Sequence, residues 1–201
     1  MLAIPVPYRF LILGIFIITM LLWDLRHPPS QRYRWQEYPF ILGVGCVGAI
    51  VGVGNDLITS WLSPEYFLYF KGLPAELFLW NVILLGSQAG FAAGAVGSGI
   101  LLLGRPVSQN RTHRIATLVP WVKWPFVSAI ATGTLFGLFS HHLHWPQSFG
   151  DLDGLLEPNQ AHWFHTVWMI HIGLYAGAVV SLCVISIHLR YRVSRHLSDP
   201  P

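Results

Sequence analysis

The chain has 201 residues, of which 53% are hydrophobic and only 10% are charged, and its formal net charge is +3. Soluble domains average about 25% charged residues, so this composition excludes an ordinary soluble domain and favours a protein embedded in a membrane. The basic residues are scattered through short segments and form no continuous basic helix, which leaves nucleic-acid binding without support.

Five apolar segments predict the fold. A hydrocarbon core about 30 Å thick needs roughly 20 apolar residues in a helix. We therefore predict an all-α fold, a polytopic membrane helix bundle that forms a single membrane domain over residues 1–201. The first segment has no small-x-small cleavage site and is not interpreted as a signal peptide. The five predicted spans are residues 8–23, 39–56, 76–104, 117–140 and 162–188.

Positive charge in the loops predicts the orientation. The loops after the first and third spans and the C-terminal tail contain three arginines each. The loop after the second span contains a single lysine, and the loop after the fourth span contains no Lys or Arg. Because cytoplasmic loops carry the excess of Lys and Arg, the three arginine-rich segments are predicted to be cytoplasmic. The expected location is the cell (inner) membrane, with the N-terminus outside and the C-terminus in the cytoplasm.

A short additional helix is predicted at about residues 63–71. Ser63 is a favourable N-cap, Pro64 suits the first helical position, and Gly72 can end the helix. The segment is too short to span a membrane, and its aromatic residues suit the headgroup zone, so we expect it to lie along the outer interface.

Small residues repeat every four positions on the spans, as in Gly86, Gly90 and Gly94 of the third span. Such ridges let helix backbones approach closely. They predict a tightly packed bundle, with a dimer interface as the alternative.

Polar and titratable residues are predicted to gather on the outer side. Carboxylates and imidazoles together are what transition-metal sites use, and ionisable groups in membrane helices are functional candidates. His171 lies in an apolar stretch one turn before Tyr175, so a His–Tyr pair is the structural alternative. No H-E-x-x-H pattern occurs, and the cofactor would be a transition metal or haem. The candidate metal ligands are Asp56, Glu65, His142, His165 and His171.

The segment Gly54-Asn55-Asp56-Leu57-Ile58-Thr59, followed by Ser63-Pro64-Glu65-Tyr66-Phe67 and Phe70-Lys71, resembles a signature of uncharacterised bacterial multi-pass membrane proteins. Their signature contains Asp-x-Ile-Thr and then Glu-Tyr-Phe. His171 and Tyr175-Ala176-Gly177 are similar to a His and a Tyr-x-Gly in the last helix of that family. Two departures remove potential ligands: Asn55 replaces a His, and Lys71-Gly72 replaces a His-Pro. The resemblance implies a bacterial cell membrane and no known activity.

Three functions remain open from the sequence. The first is a structural or accessory subunit whose partners are the lipid bilayer and either a second copy or a larger membrane complex. The second is a membrane metal- or haem-binding protein that uses the outer His, Asp and Glu residues. The third is a small oligomeric transporter, although no span shows the broken helices of transport sites. No nucleophile–base constellation is visible, so the sequence leans against an enzyme.

Overall fold

The computed structural model describes residues 37–104, 115–145 and 154–198 without a break, together with residues 15, 18, 19, 22 and 26. No β-strand occurs in the described part of the chain, which confirms the all-α prediction. The four long helices found there are all long and apolar enough to cross a membrane. The elements are α1 (Glu37–Leu62), a π-helical turn (Tyr66–Phe70), α2 (Phe78–Gly104), α3 (Val119–Leu143) and α4 (Pro158–Ser198).

The helices correspond to the second to fifth predicted spans, with corrected ends. Asp56, at the end of the second predicted span, does not end a helix, because α1 continues without a Gly or Pro to Leu62. Similarly, α4 begins at Pro158 rather than at residue 162, and proline suits the first turn of a helix. The first predicted span, residues 8–23, lies outside the described residues except for residues 15, 18, 19 and 22.

Helices α1 and α2 form an antiparallel hairpin in which glycines meet backbone atoms. A Cβ atom added at Gly48 would collide with the carbonyl oxygen of Gly90, and one added at Gly52 would collide with that of Gly86. At this separation the two backbones themselves are in van der Waals contact. The glycine ridges predicted on these two spans therefore pack against each other within one chain.

Helices α3 and α4 form a second hairpin of the same kind, reinforced by hydroxyl groups. A Cβ atom at Gly173 would lie 2.6 Å from the carbonyl oxygen of Thr132. The Thr132 hydroxyl donates to the carbonyl oxygen of Gly173 at 2.7 Å, and the Ser128 hydroxyl donates to that of Gly177 at 3.0 Å. The close approach thus creates interhelical hydrogen bonds that larger residues would prevent.

The two hairpins meet mainly through α2 and α4, with smaller contacts of α1 to α3 and α4. One apolar cluster lies where α1 and α3 finish and α2 and α4 begin, which we call the Asp56 end of the bundle. Its buried members are Tyr66, Phe67, Val82, Leu156, Phe164 and Val167. Two smaller clusters lie towards the opposite end, around Phe40, Val44 and Leu118 and around Leu101, Leu182 and Ile185.

Candidate functional site: a buried Asp56–His171 pair

Asp56 of α1 and His171 of α4 meet inside the bundle and connect its two hairpins. Asp56 is 6% exposed and His171 is 7% exposed. Asp56 Oδ1 lies 3.2 Å from His171 Nε2, within hydrogen-bonding distance. Both residues belong to continuous helical segments, so the relative position of the two groups is set by helix packing rather than by a loop.

The second ring nitrogen of His171 fixes where one proton lies. Nδ1 is 2.9 Å from the carbonyl oxygen of Val167, one turn earlier on α4. A carbonyl oxygen can only accept a hydrogen bond, so Nδ1 carries a proton. A hydrogen bond between Nε2 and Asp56 Oδ1 needs one further proton, which is carried either by the imidazole or by the carboxyl group. In both forms the pair holds one proton between α1 and α4.

Asn55 completes the polar group at this position. Its Nδ2 donates to Asp56 Oδ1 at 3.1 Å and lies 3.5 Å from His171 Nε2. The Asn55 carbonyl oxygen accepts a hydrogen bond from the Thr59 hydroxyl at 2.9 Å. Burying a carboxyl group in an apolar bundle is costly unless it is hydrogen-bonded, and Asn55 and His171 supply those bonds.

The chain after α1 folds back and covers the pair with aromatic rings. Pro64 has no backbone N–H to continue α1, and Gly72, at φ 66°, ends the short helix that follows. The Tyr66 ring stacks on the His171 ring, with centroids 4.8 Å apart and planes at 25°. The Phe67 ring meets His171 edge-on at 6.1 Å. Water is thereby kept from this side of the imidazole.

The same rings show which aromatic residues of the segment 63–71 face the bundle. A short helix does form there, but Tyr66 and Phe67 are 1% and 0% exposed and face the bundle. Tyr69 and Phe70 are the aromatic residues that stay exposed. Burial raises the pKa of the Tyr66 phenol, and the nearby Tyr175 and Asp56 raise it further, so Tyr66 remains a neutral hydroxyl.

A cavity of about 120 Å³ lies between the hairpins beside the pair. Most of its wall consists of glycine, alanine and aliphatic side chains of all four helices. Five polar side chains line it, four towards the Asp56 end (Asn55, Asp56, His171 and Tyr175) and Ser98 towards the opposite end. The volume is below the 300–1,000 Å³ typical of ligand pockets, so the cavity does not offer room for a sizeable substrate.

The structure brings together two of the five predicted site residues, Asp56 and His171. Glu65 instead accepts a hydrogen bond from the Ser63 hydroxyl at 3.0 Å. His142 is on α3, with its ring centroid 5.4 Å from that of His141. His165 is buried on α4 beside Phe164. None of these three lines the cavity next to the pair. The structural alternative was a pair of His171 with Tyr175, but the two ring nitrogens of His171 contact Val167 and Asp56.

Sequence reasoning placed several histidines on one side but did not find which of them touch. His141 Nδ1 lies 2.8 Å from His162 Nε2, and the ring of His144 lies 4.8 Å from that of His162. We call His141, His142, His144 and His162 the histidine cluster. The sequence did contain a signal for this contact: His141 lies near the end of α3 and His162 near the start of α4, which are adjacent in an antiparallel hairpin.

The described residues contain no group of three or more His, Cys, Asp or Glu side chains placed to hold a metal ion. Asp151 and Asp153 fall between the fourth and fifth predicted spans, a loop that the predicted topology puts outside, and they lie outside the described residues. Comparisons with protein-family models, with curated proteins and with solved structures found no match. What the site itself supports is a buried hydrogen bond between an imidazole and a carboxyl group that joins α1 to α4.

Proposed function

We propose that the chain is a five-span protein of the bacterial cell (inner) membrane, with its N-terminus outside and its C-terminus in the cytoplasm. In this proposal it is a non-enzymatic structural or accessory subunit of a larger membrane complex or homo-oligomer. Residues 8–23 supply the first of the five spans, and the short helix after α1 lies at the outer interface. The resemblance to bacterial multi-pass proteins through Asp56, Glu65 and His171 belongs to the same proposal.

The observation that carries the proposal is the enclosed geometry of the Asp56–His171 pair. The pair is hydrogen-bonded internally, Asn55 donates to its carboxylate, and Tyr66 and Phe67 cover its ring. A reacting group needs a space beside it that substrate can enter, whereas the cavity beside this pair measures only about 120 Å³ and the Tyr66 and Phe67 rings cover His171. We call the hydrogen-bonded pair of Asp56 and His171 the clasp, because in this proposal it fixes the register of α1 on α4. Buried polar pairs are known to set register in helical assemblies.

Topology is tested with single cysteines. Cys46 and Cys183 would first be replaced by alanine, and one cysteine would then be introduced at a time in intact cells. An impermeant maleimide should label Glu65→Cys and Asp153→Cys from outside. It should label Arg111→Cys only after the membrane is permeabilised. External labelling of Arg111→Cys with protection of Asp153→Cys would overturn the orientation.

The accessory role is tested by native electrophoresis of the protein extracted in mild detergent. The proposal predicts a species well above the 22.6 kDa of one chain after allowance for bound detergent. A wild-type protein that migrates as a monomer from its native membrane would contradict a role as a subunit.

A small transporter that uses the pair as a proton site is the second candidate. The observation in its favour is that Asp56 and His171 line the cavity between the hairpins. Liposomes that contain the purified protein and an internal pH-sensitive dye would report proton flux under a pH gradient. The clasp predicts the same flux for wild type and Asp56→Asn. Flux that Asp56→Asn abolishes while the protein stays folded would favour the transporter.

A further inference from the structure

Three imidazole rings meet where α3 ends and α4 begins, away from the clasp. His141 lies in the last turn of α3, His144 directly follows that helix, and His162 lies near the start of α4. His141 Nδ1 is 2.8 Å from His162 Nε2. The ring centroid of His162 is 4.6 Å from that of His141 and 4.8 Å from that of His144. None of the three residues lines the cavity beside the clasp.

The end of α3 brings the third ring to the other two. His144 adopts the left-handed conformation, with φ 51° and ψ 42°, and its backbone N–H donates to the carbonyl oxygen of Ser140. A residue with a side chain adopts this region uncommonly, and such backbone strain is often found at binding sites. Here it ends the helix while the His144 ring stays beside that of His162.

The spacings match those of imidazoles that share one metal ion. With metal–nitrogen bonds of about 2.0 Å, two neighbouring corners of a square plane are about 2.8 Å apart, and two corners of a tetrahedron are about 3.3 Å apart. The separation of His141 Nδ1 from His162 Nε2 is that of the square plane. The same bonds put ring centroids about 4.5–5.2 Å apart, a range that includes both measured centroid distances.

Two small adjustments prepare the rings for a metal ion. Only two donor atoms converge as the described residues stand, and no group of three is already in place. The His144 side chain is exposed, so its ring is able to turn and supply a third nitrogen. With the rings of His141 and His162 neutral, one N–H lies between them. A change of tautomer moves that proton to the other nitrogen of the same ring and frees both lone pairs.

From these spacings we infer that His141, His144 and His162 form a copper(II) site at the Asp56 end of the bundle. His141 binds through Nδ1 and His162 through Nε2, while His144 supplies the third nitrogen and solvent the fourth position. Imidazole suits copper, tetragonal nitrogen and oxygen sets are typical of Cu(II), and such sites bind Cu(II) more tightly than Zn(II). The site is distinct from the predicted metal ligands, because it includes neither His142 nor His165.

The histidines offer matched variants. His141→Gln and His162→Gln each remove one of the two nitrogens that lie 2.8 Å apart, and glutamine keeps a polar side chain at that position. His142→Gln is the adjacent control on α3, since its ring is next to that of His141. His188→Gln is the distant control, because His188 packs against Trp121 at the opposite end of the bundle.

Copper binding is measured by titrating CuCl₂ into the full chain, purified in detergent without a histidine tag. Cu(II) quenches tryptophan fluorescence, and the Trp163 ring is 4.8 Å from that of His141. Wild type should bind one Cu(II) per chain, with saturable quenching that Trp163→Phe reduces. The affinity should fall at least about tenfold in His141→Gln and in His162→Gln and stay within about twofold in the two controls.

Electron paramagnetic resonance identifies the ligands of the bound copper. Wild type should give a tetragonal Cu(II) signal coupled to three imidazole nitrogens, and His144→Gln should give one coupled to two. The wild-type spectrum tests the site even where a variant fails to fold.

Four outcomes would overturn the inference. The first is absence of Cu(II) binding to wild type. The second is a copper signal without imidazole nitrogens, or an affinity unchanged in both His141→Gln and His162→Gln, which would show adventitious binding elsewhere on the chain. A loss in His142→Gln as large as in His141→Gln would assign the copper to a different set of ligands. Zn(II) that competes as well as Cu(II) at equal concentration would show that the nitrogens do not hold a square-planar arrangement.

Discussion

The Asp56–His171 pair makes a quantitative prediction about stability. The perturbation is a double-mutant cycle built from Asp56→Leu, His171→Phe and the double variant. Leucine keeps much of the volume of aspartate without its oxygens, and phenylalanine keeps the ring that stacks on Tyr66. Each single change leaves one polar group buried without the partner that it has at 3.2 Å. In the double variant both polar groups are absent, so neither is left buried without its partner.

Known magnitudes bracket the expected effect. Removing one partner of a buried ion pair in a soluble protein costs about 3–5 kcal/mol. Interhelical hydrogen bonds in membranes average about 0.6 kcal/mol and reach about 1.7 kcal/mol, because the unfolded chain in the membrane also finds partners. Since both side chains are less than 10% exposed and one hydrogen bond is lost, we expect about 2 kcal/mol for each single variant. The double variant should lose no more than either single one, which corresponds to a coupling energy of about 2 kcal/mol.

The assay is reversible unfolding in mixed micelles by increasing SDS, followed by circular dichroism. Glu65→Gln is the control, because Glu65 is half-buried and accepts a hydrogen bond from the Ser63 hydroxyl two residues away rather than from another helix. It should change the free energy of unfolding by less than about 0.5 kcal/mol, as surface substitutions usually do. Strictly additive losses in the double variant would refute the clasp, since they would mean that the two groups do not interact in the folded protein.

Other predictions follow from packing and backbone geometry. Gly48→Ala should destabilise the protein strongly in the same assay, because its Cβ would collide with the facing backbone of α2. Gly43→Ala is the control, which has open space around the added Cβ and should be neutral or slightly stabilising. Equal effects of the two substitutions would show that the α1–α2 contact is misassigned. Gly72→Ala should cost about 1 kcal/mol, because φ is 66° there, and no loss would mean that the turn differs. Tyr66→Phe should keep the stack on His171 and most of the stability. Tyr66→Ala should lower the free energy of unfolding by about 3 kcal/mol or more. Similar losses in the two variants would show that the hydroxyl rather than the ring is required.

Composition and hydropathy were sufficient to predict the helical fold and the approximate position of the four described spans. The side of the bundle on which the polar residues gather was also predicted, because consecutive spans alternate in direction. Helix ends were predicted less well. The charge of the Asp56 carboxylate suggested that a span ends there. The helix α1 instead continues through Leu57–Leu62, because the buried His171 is a hydrogen-bond partner for Asp56 inside the bundle.

The details of the site depend on which helix faces meet, and the sequence does not specify those. Pairing of Asp56 with His171 requires one register of α1 on α4, whereas the glycine contacts between helix backbones lie within each hairpin and do not specify it. The inward rotation of Tyr66 depends on the π-helical turn, for which the aromatic pattern contains no signal. Glu65 was expected at the site from its place in the chain, but Ser63 is near enough to satisfy it locally.

The most direct test of the clasp is the protonation of His171 in the assembled protein. Solid-state NMR of ¹⁵N-histidine-labelled protein in lipid bilayers, with the signal assigned by its loss in His171→Gln, reports both ring nitrogens. The structure predicts a proton on Nδ1, bonded to the carbonyl oxygen of Val167, and an Nε2 resonance that moves in Asp56→Leu and not in Glu65→Gln. An unprotonated Nδ1, or an Nε2 signal indifferent to Asp56, would contradict the account.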